Sequence, residues 1–183
     1  LASTAGPGSF RNLEGRDLAS VISTELDTAR VLRNATEGFD GGYVLGGIVG
    51  NGDAFVLRDG NGIRPAFWLE TPEAIAVASE RPALAAVFGV RPADVQELTP
   101  GHALIMKADG RVMLEQVLPT APERQCTFER IYFSRGNDPD IYAERKALGA
   151  ALADEVIRLI SDDHDKAVFS YIPNTAEIAW YGL

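Results

Sequence analysis

The chain has 183 residues, 46% apolar and 23% charged; at about 150 residues per domain this is roughly 1.2 domains, and the composition excludes a disordered tail, a collagen-like fibre and a disulfide scaffold. With 17 Lys and Arg against 26 Asp and Glu, the net charge is −9. That is the wrong sign for binding nucleic acid through its phosphates or for seeking an anionic membrane surface. The single cysteine, Cys126, can form neither an internal disulfide nor a cysteine-based zinc site, and such usage fits a reducing cytoplasm. No stretch approaches 18 uninterrupted apolar residues, so no transmembrane helix is predicted.

Residues 1–15 are rich in Gly, Ser, Pro and Ala and read as a loop, with no signal-peptide pattern. Leu18, Val21, Ile22, Leu26, Ala29 and Leu32 recur at three- and four-residue steps, which predicts one helix over 16–35. From Tyr43 the period changes. A buried strand is expected over 43–49, its interior glycines marking a close backbone approach. Gly50-Asn51-Gly52-Asp53 then turns the chain into a second strand over 54–57, completing a hairpin. Further strands are predicted over 66–69, 75–78, 95–98, 102–107 and 111–117, with a short helix from Pro82 to Phe88. Residues 118–124 read as a linker. After it come a strand over 128–133 and a helix over 140–160 capped by Asp138, with Ile141, Leu148, Leu152, Val156 and Leu159 as its apolar face. An acidic loop over 161–165 and a strand over 168–172 follow. Asn174 and Glu177 then sit at capping-box spacing before a last helix.

The common chemical signatures are absent. There is no phosphate-binding Gly-x-x-x-x-Gly-Lys loop, and His102 and His164 stand apart from any carboxylate or thiol at metal-ligand spacing. Gly50-x-Gly52 precedes a strand rather than a helix and is a turn. Two segments stand out. In Arg58-Asp59-Gly60-Asn61-Gly62-Ile63-Arg64-Pro65 the spacing allows a plain turn flanked by solvated arginines, or an ordered loop in which Arg58, Asp59 and Arg64 pair to hold an interface. In Pro173-Asn174-Thr175-Ala176 it allows a capped helix start, or an anion site beyond the carboxyl end of a strand.

Taken together, several runs resemble the amidophosphoribosyltransferase family, the glutamine phosphoribosylpyrophosphate amidotransferases. They are Gly41-Gly42-Tyr43-Val44, Arg58-Asp59-x-Asn61-Gly62-Ile63-Arg64-Pro65, Ala78-Ser79-Glu80-Arg81-Pro82 and Pro100-Gly101-His102-Ala103. They continue with Cys126-x-Phe128-Glu129-Arg130-Ile131-Tyr132-Phe133-Ser134-Arg135 and Ile172-Pro173-Asn174-Thr175. They follow the family order from about residue 41 to 183.

The resemblance implies an α+β chain in two parts. Residues 1–120 would be the second half of an N-terminal-nucleophile glutaminase sandwich (αββα), a class II glutamine amidotransferase domain. Residues 121–183 would be a linker and the start of an α/β phosphoribosyltransferase domain. It implies a cytoplasmic enzyme of purine biosynthesis, a homo-oligomer that makes 5-phosphoribosylamine from phosphoribosylpyrophosphate and glutamine with Mg²⁺, and that binds neither nucleic acid nor membrane.

The resemblance also places roles on residues. Tyr132 matches a tyrosine lining the ammonia channel. Pro173, Asn174, Thr175 and Ala176 match the loop that meets the pyrophosphate of the substrate, with Ala176 where many relatives have serine. Arg58, Asp59, Asn61, Gly62 and Arg64 would form a turn at the domain interface. Cys126 matches the first ligand of an iron-sulfur cluster in some members, whereas others keep that cysteine without a cluster. Residue 1 is Leu, and the family's glutamine-binding Arg, its Asn-Gly oxyanion pair and its substrate-gripping Asp have no match. The 183 residues are therefore expected to be an internal part of the enzyme without catalytic residues, inactive alone. The alternatives are another class II amidotransferase and a non-catalytic interaction module.

Overall fold

A computed structural model describes residues 14–119, 121–161 and 164–183. The loop expected at the very start of the chain and part of the acidic loop lie outside them. The described residues mix helix and sheet and divide into two compact units. One comprises Leu1–Trp68 and Gln96–Gln125, the other Leu69–Val95 and Cys126–Leu183.

In the first unit, the single helix expected over 16–35 is two helices, α1 (Gly15–Glu25) and α2 (Thr28–Ala35). The break follows from local capping. Leu26 is extended, and the Asp27 carboxylate accepts a hydrogen bond from the Arg30 amide at 2.9 Å, which starts a new helix at Thr28. The strands β1 (Val44–Ile48), β2 (Ala54–Arg58), β6 (His102–Met106) and β7 (Val112–Gln116) form an antiparallel sheet in the order β1-β2-β6-β7.

The expected hairpin over 43–57 is present, with Gly47 opposite Phe55. A side chain on Gly47 would collide with the Phe55 ring, so the close approach read from the interior glycines is that of an aromatic ring. β1 is not a buried strand, however: it is a sheet edge, and Ile48 is 84% exposed. One face of the sheet packs on α2. Ala29 and Leu32 meet Leu57, Ala103, Ile105 and Val117, giving that face its dry interior. β3 (Phe67–Glu70) leaves this sheet and lies between β4 (Ile75–Ala78) and β5 (Gln96–Glu97) in a second, three-stranded one. The boundary between the two units falls within β3.

In the second unit, α3 (Arg81–Phe88) begins with Pro82 in its first turn, where the missing amide costs nothing, and ends at Gly89 with φ 64°. α4 (Pro139–Ile160) starts as expected, with the Asp138 carboxylate accepting from the amides of Asp140 and Ile141. Its buried stripe shares only Ile141 with the apolar one read from the sequence. Ile141, Arg145 and Gly149 are buried, whereas Leu148, Leu152 and Leu159 are exposed. The reason is the partner: α5 (Glu177–Gly182) crosses α4 at Gly149, and only a residue without a side chain admits a backbone that near.

Two predicted strands are absent. Residues 129–133 form one helical turn, closed by the Ser134 amide donating to the Glu129 carbonyl at 2.7 Å. Residues 167–172 are irregular, with Val168 and Ile172 more than four-fifths exposed, because no neighbouring strand among the described residues offers them a hydrogen-bonding ladder. The capping box also fails. Ala176, not Asn174, precedes the helix, and Asn174 accepts from the Glu177 amide through its main-chain carbonyl, at 3.3 Å.

Candidate functional site

The turn after β2 is built on two buried charges. Arg58 and Asp59 are each 1% exposed. The Arg58 guanidinium donates to the carbonyls of Leu98 (2.6 Å), Arg64 (2.7 Å) and Gly62 (3.1 Å) and pairs with Glu97 at 2.7 Å. The Asp59 carboxylate accepts from the amides of Asn61, Ile63 and Arg64. Each ion is thus surrounded by opposite partial charge, the condition under which a charge survives burial. Gly62 is required here on two counts. Its φ is 62°, and a Cβ would stand 2.7 Å from the Pro100 ring.

Of the two readings of this turn, solvated arginines are ruled out for Arg58. The pairing differs from the expected one as well: Arg64 enters through its main chain, giving its amide to Asp59 and its carbonyl to Arg58. Glu97, which completes the set, carries no signal of its own in the sequence. Asn61 reaches outward. Its side-chain amide donates to the Pro122 carbonyl at 2.9 Å, and its own carbonyl accepts from the Arg124 amide at 2.8 Å, so the turn holds the following linker.

A second buried ion pair lies at the far end of the sheet. The Asp53 carboxylate, 1% exposed, accepts from the Lys107 ammonium and, at 2.9 Å, from the Ala108 amide. Burial alone would raise the Asp53 carboxyl; Lys107, Ala108 and Asn51 outweigh it and hold the group below the ordinary carboxylate range. Nothing in the sequence pairs residue 53 with residue 107; the register of β2 on β6 does.

In the second unit, Tyr132 stands on the helical turn 129–133, 63% exposed, with its ring edge-on to Phe133 at 5.3 Å. Arg145 of α4, which the sequence reading passed over, is 6% exposed and binds that turn, donating to the carbonyls of Arg130 (2.9 Å) and Ser134 (2.7 Å). Burial pushes its guanidinium below the ordinary value.

Pro173, Asn174, Thr175 and Ala176 form a turn leading into α5, with a cis peptide between Pro173 and Asn174. Residues 167–172 before them are irregular, so this turn does not lie beyond the carboxyl end of a strand. The Glu177 carboxylate accepts from the Tyr171 hydroxyl at 3.2 Å and the Tyr181 hydroxyl at 2.7 Å, and so closes a clasp across that turn. Both phenols are raised: burial leads for Tyr171, with Glu177 adding, and the Glu177 carboxylate leads for Tyr181.

Among the described residues no group of three or more His, Cys, Asp or Glu is placed to hold a metal ion. Cys126 is half-buried. An iron-sulfur cluster needs a full set of ligands and this sequence has one cysteine, so these residues do not fit a cluster by themselves. No helix among the described residues is long and apolar enough to cross a membrane.

No family model matches the chain. Curated relatives do. An amidophosphoribosyltransferase from Pseudomonas aeruginosa is 30% identical over 150 residues, 76% of this chain and 28% of the relative. Another from Lachancea kluyveri is 32% identical over 148 residues, 74% of this chain and 28% of the relative. In structure, the glutamine phosphoribosylpyrophosphate amidotransferase from B. subtilis, solved with ADP and GMP, superposes with a TM-score of 0.63 at 24% identity, over 96% of this chain and 38% of that one. The chain therefore spans a little over a quarter of the length of the curated relatives it matches. A match over three quarters of the chain exceeds either compact unit alone and so includes residues of both. By sequence, the chain is similar to the amidophosphoribosyltransferases over about three quarters of its length.

Proposed function

We propose that these residues serve in an amidophosphoribosyltransferase, which transfers the amide nitrogen of glutamine to phosphoribosylpyrophosphate and yields 5-phosphoribosylamine, the first committed step of purine synthesis. The observation that carries this reading is the sequence match, 30% identity over a span longer than either compact unit. In this reading residues 1–120 supply part of the N-terminal-nucleophile glutaminase sandwich. Residues from 121 onward open the phosphoribosyltransferase domain, and Tyr132 lines the path of ammonia. Pro173, Asn174, Thr175 and Ala176 meet the pyrophosphate of the substrate, with Mg²⁺ neutralising its charge when bound.

The turn of Arg58, Asp59, Asn61, Gly62 and Arg64 then serves as the brace at the domain interface. Support comes from its rigidity: two buried, fully partnered ions hold the turn, and Asn61 carries the linker. The chemistry follows from the groups present. The loop 173–176 offers main-chain and small polar donors suited to a phosphate.

The test is synthesis of phosphoribosylamine by the full polypeptide carrying these residues, with Mg²⁺ and phosphoribosylpyrophosphate, supplied first with glutamine and then with ammonium. Asn174→Ala should raise the KM for phosphoribosylpyrophosphate about tenfold, about the weight of one charge-assisted hydrogen bond. Glutamine hydrolysis without use of phosphoribosylpyrophosphate would point instead to another class II amidotransferase. Neither activity would point to a non-catalytic module.

A further inference from the structure

We propose that Arg145 is a positioning residue for Tyr132; the inference rests on the reading of Tyr132 given above. Arg145 is the largest polar side chain in the buried stripe of α4, between Ile141 and Gly149. It spends two donors on carbonyls that bracket Tyr132, Arg130 two residues before it and Ser134 two residues after. A single planar fork therefore sets both ends of the turn, and the tyrosine between them follows.

The turn is short and most of its side chains face solvent. It is one helical turn long, closed by the Ser134 amide, and Phe128, Ile131, Tyr132 and Phe133 are all exposed. A turn this short has no intrinsic stability. Among the contacts that shape it from outside are those of Arg145 and the paired contacts of Arg130 with Glu144, the residue before Arg145, at 2.5 and 2.6 Å.

A buried cation is a poor device for stability alone, because an apolar side chain of similar volume fills the same space without the desolvation cost. What the guanidinium adds is direction: two carbonyls must point at it. On the far side, Arg145 belongs to a helix in backbone contact with α5 at Gly149, and Ile178 of α5 packs against Gly136, just past the turn. The turn bearing Tyr132 and the helix that follows the 173–176 loop are thus parts of one packed assembly inside the second unit.

The experiment compares Arg145→Met and Arg145→Lys in the full polypeptide. The readouts are phosphoribosylamine formation with glutamine, the same with ammonium, and amide hydrogen exchange at Ser134 and along α4. For Arg145→Met, the expected result is a glutamine-to-ammonium rate ratio lowered about tenfold, from misplacement of a channel group by a fraction of an ångström. The ammonium rate should hold, and the Ser134 amide should exchange faster while the α4 amides stay protected. Arg145→Lys restores one donor and should recover part of the ratio.

An unchanged ratio in a variant whose α4 remains protected overturns the proposal. If Arg145→Met loses α4 protection as well, the Lys variant decides: an unchanged ratio there also overturns it. If the unsubstituted protein makes no phosphoribosylamine from either nitrogen source, the proposed function itself falls, which is a distinct result.

Discussion

Gly149 of α4 and Ala179 of α5 meet backbone to backbone: a methyl group placed on Gly149 would overlap the Ala179 carbonyl oxygen. The reciprocal contact lies one turn away, where a methyl on Gly182 would overlap the Lys146 carbonyl. Two glycines, one on each helix, set the separation of the pair, and the buried face of α4 is defined by that contact. Helix propensity alone makes Gly149→Ala stabilising by about 1 kcal/mol. The contact reverses the sign: the helices must separate, and a net loss of about 2 kcal/mol is expected. Urea unfolding followed by the fluorescence of Trp180, the tryptophan of the second unit, checks this. A stabilised variant would mean that the helices are not in backbone contact.

The Arg58 turn makes a second prediction. Arg58→Met leaves three carbonyls and Glu97 without their donor and should cost about 3 kcal/mol. Arg58→Lys should cost nearly as much, because an ammonium cannot serve the carbonyls of Gly62, Arg64 and Leu98 and the Glu97 carboxylate from one position. Trp68 is buried in the first unit and reports this unfolding; a Lys variant close to the parent would show that charge rather than geometry is what the site needs.

Asp53 makes stability depend on acid. Its carboxyl titrates lower in the folded chain than in the unfolded one, so the unfolded state binds more protons at low pH. The Asp53–Lys107 contribution is complete above the unfolded value of about 3.9 and disappears as pH falls through the lower folded value. Asp53→Asn should cost about 3 kcal/mol at neutral pH, where Lys107 is left without its counter-ion, and should flatten the acid limb of the stability profile. Equal slopes for parent and variant in urea titrations between neutral and strongly acid pH would contradict this.

Glutamine hydrolysis tests the lone thiol. An N-terminal nucleophile uses its own α-amino group as base, and Cys126, at an internal position, has none beside it. The 183-residue polypeptide is expected to release no ammonia from glutamine, and Cys126→Ser to change nothing. Release abolished by that substitution would show that Cys126 is a nucleophile after all.

Much of the first unit was legible because its strands carry their own period and turn residues. The hairpin over 44–58, the strands near residues 104 and 114 and the start of α4 at Asp138 all depend on neighbours close in the chain. The motif runs that mark the family are likewise local.

The misread strands and the misread face of α4 share one cause. Residues 128–133 and 168–172 have strand-like side chains, but a strand exists only where a neighbour pairs with it. The leucines of α4 form an apolar stripe, but its buried positions hold a glycine that meets α5 and an arginine that binds the turn before it. The sequence by itself determined local conformation, charge balance and kinship. Only the tertiary structure decided that Arg58 meets Glu97, that Asp53 meets Lys107 and that Arg145 holds the turn of Tyr132. The physical reason is that a buried ion requires partners from distant parts of the chain, and such partners leave no mark in the spacing of residues along it.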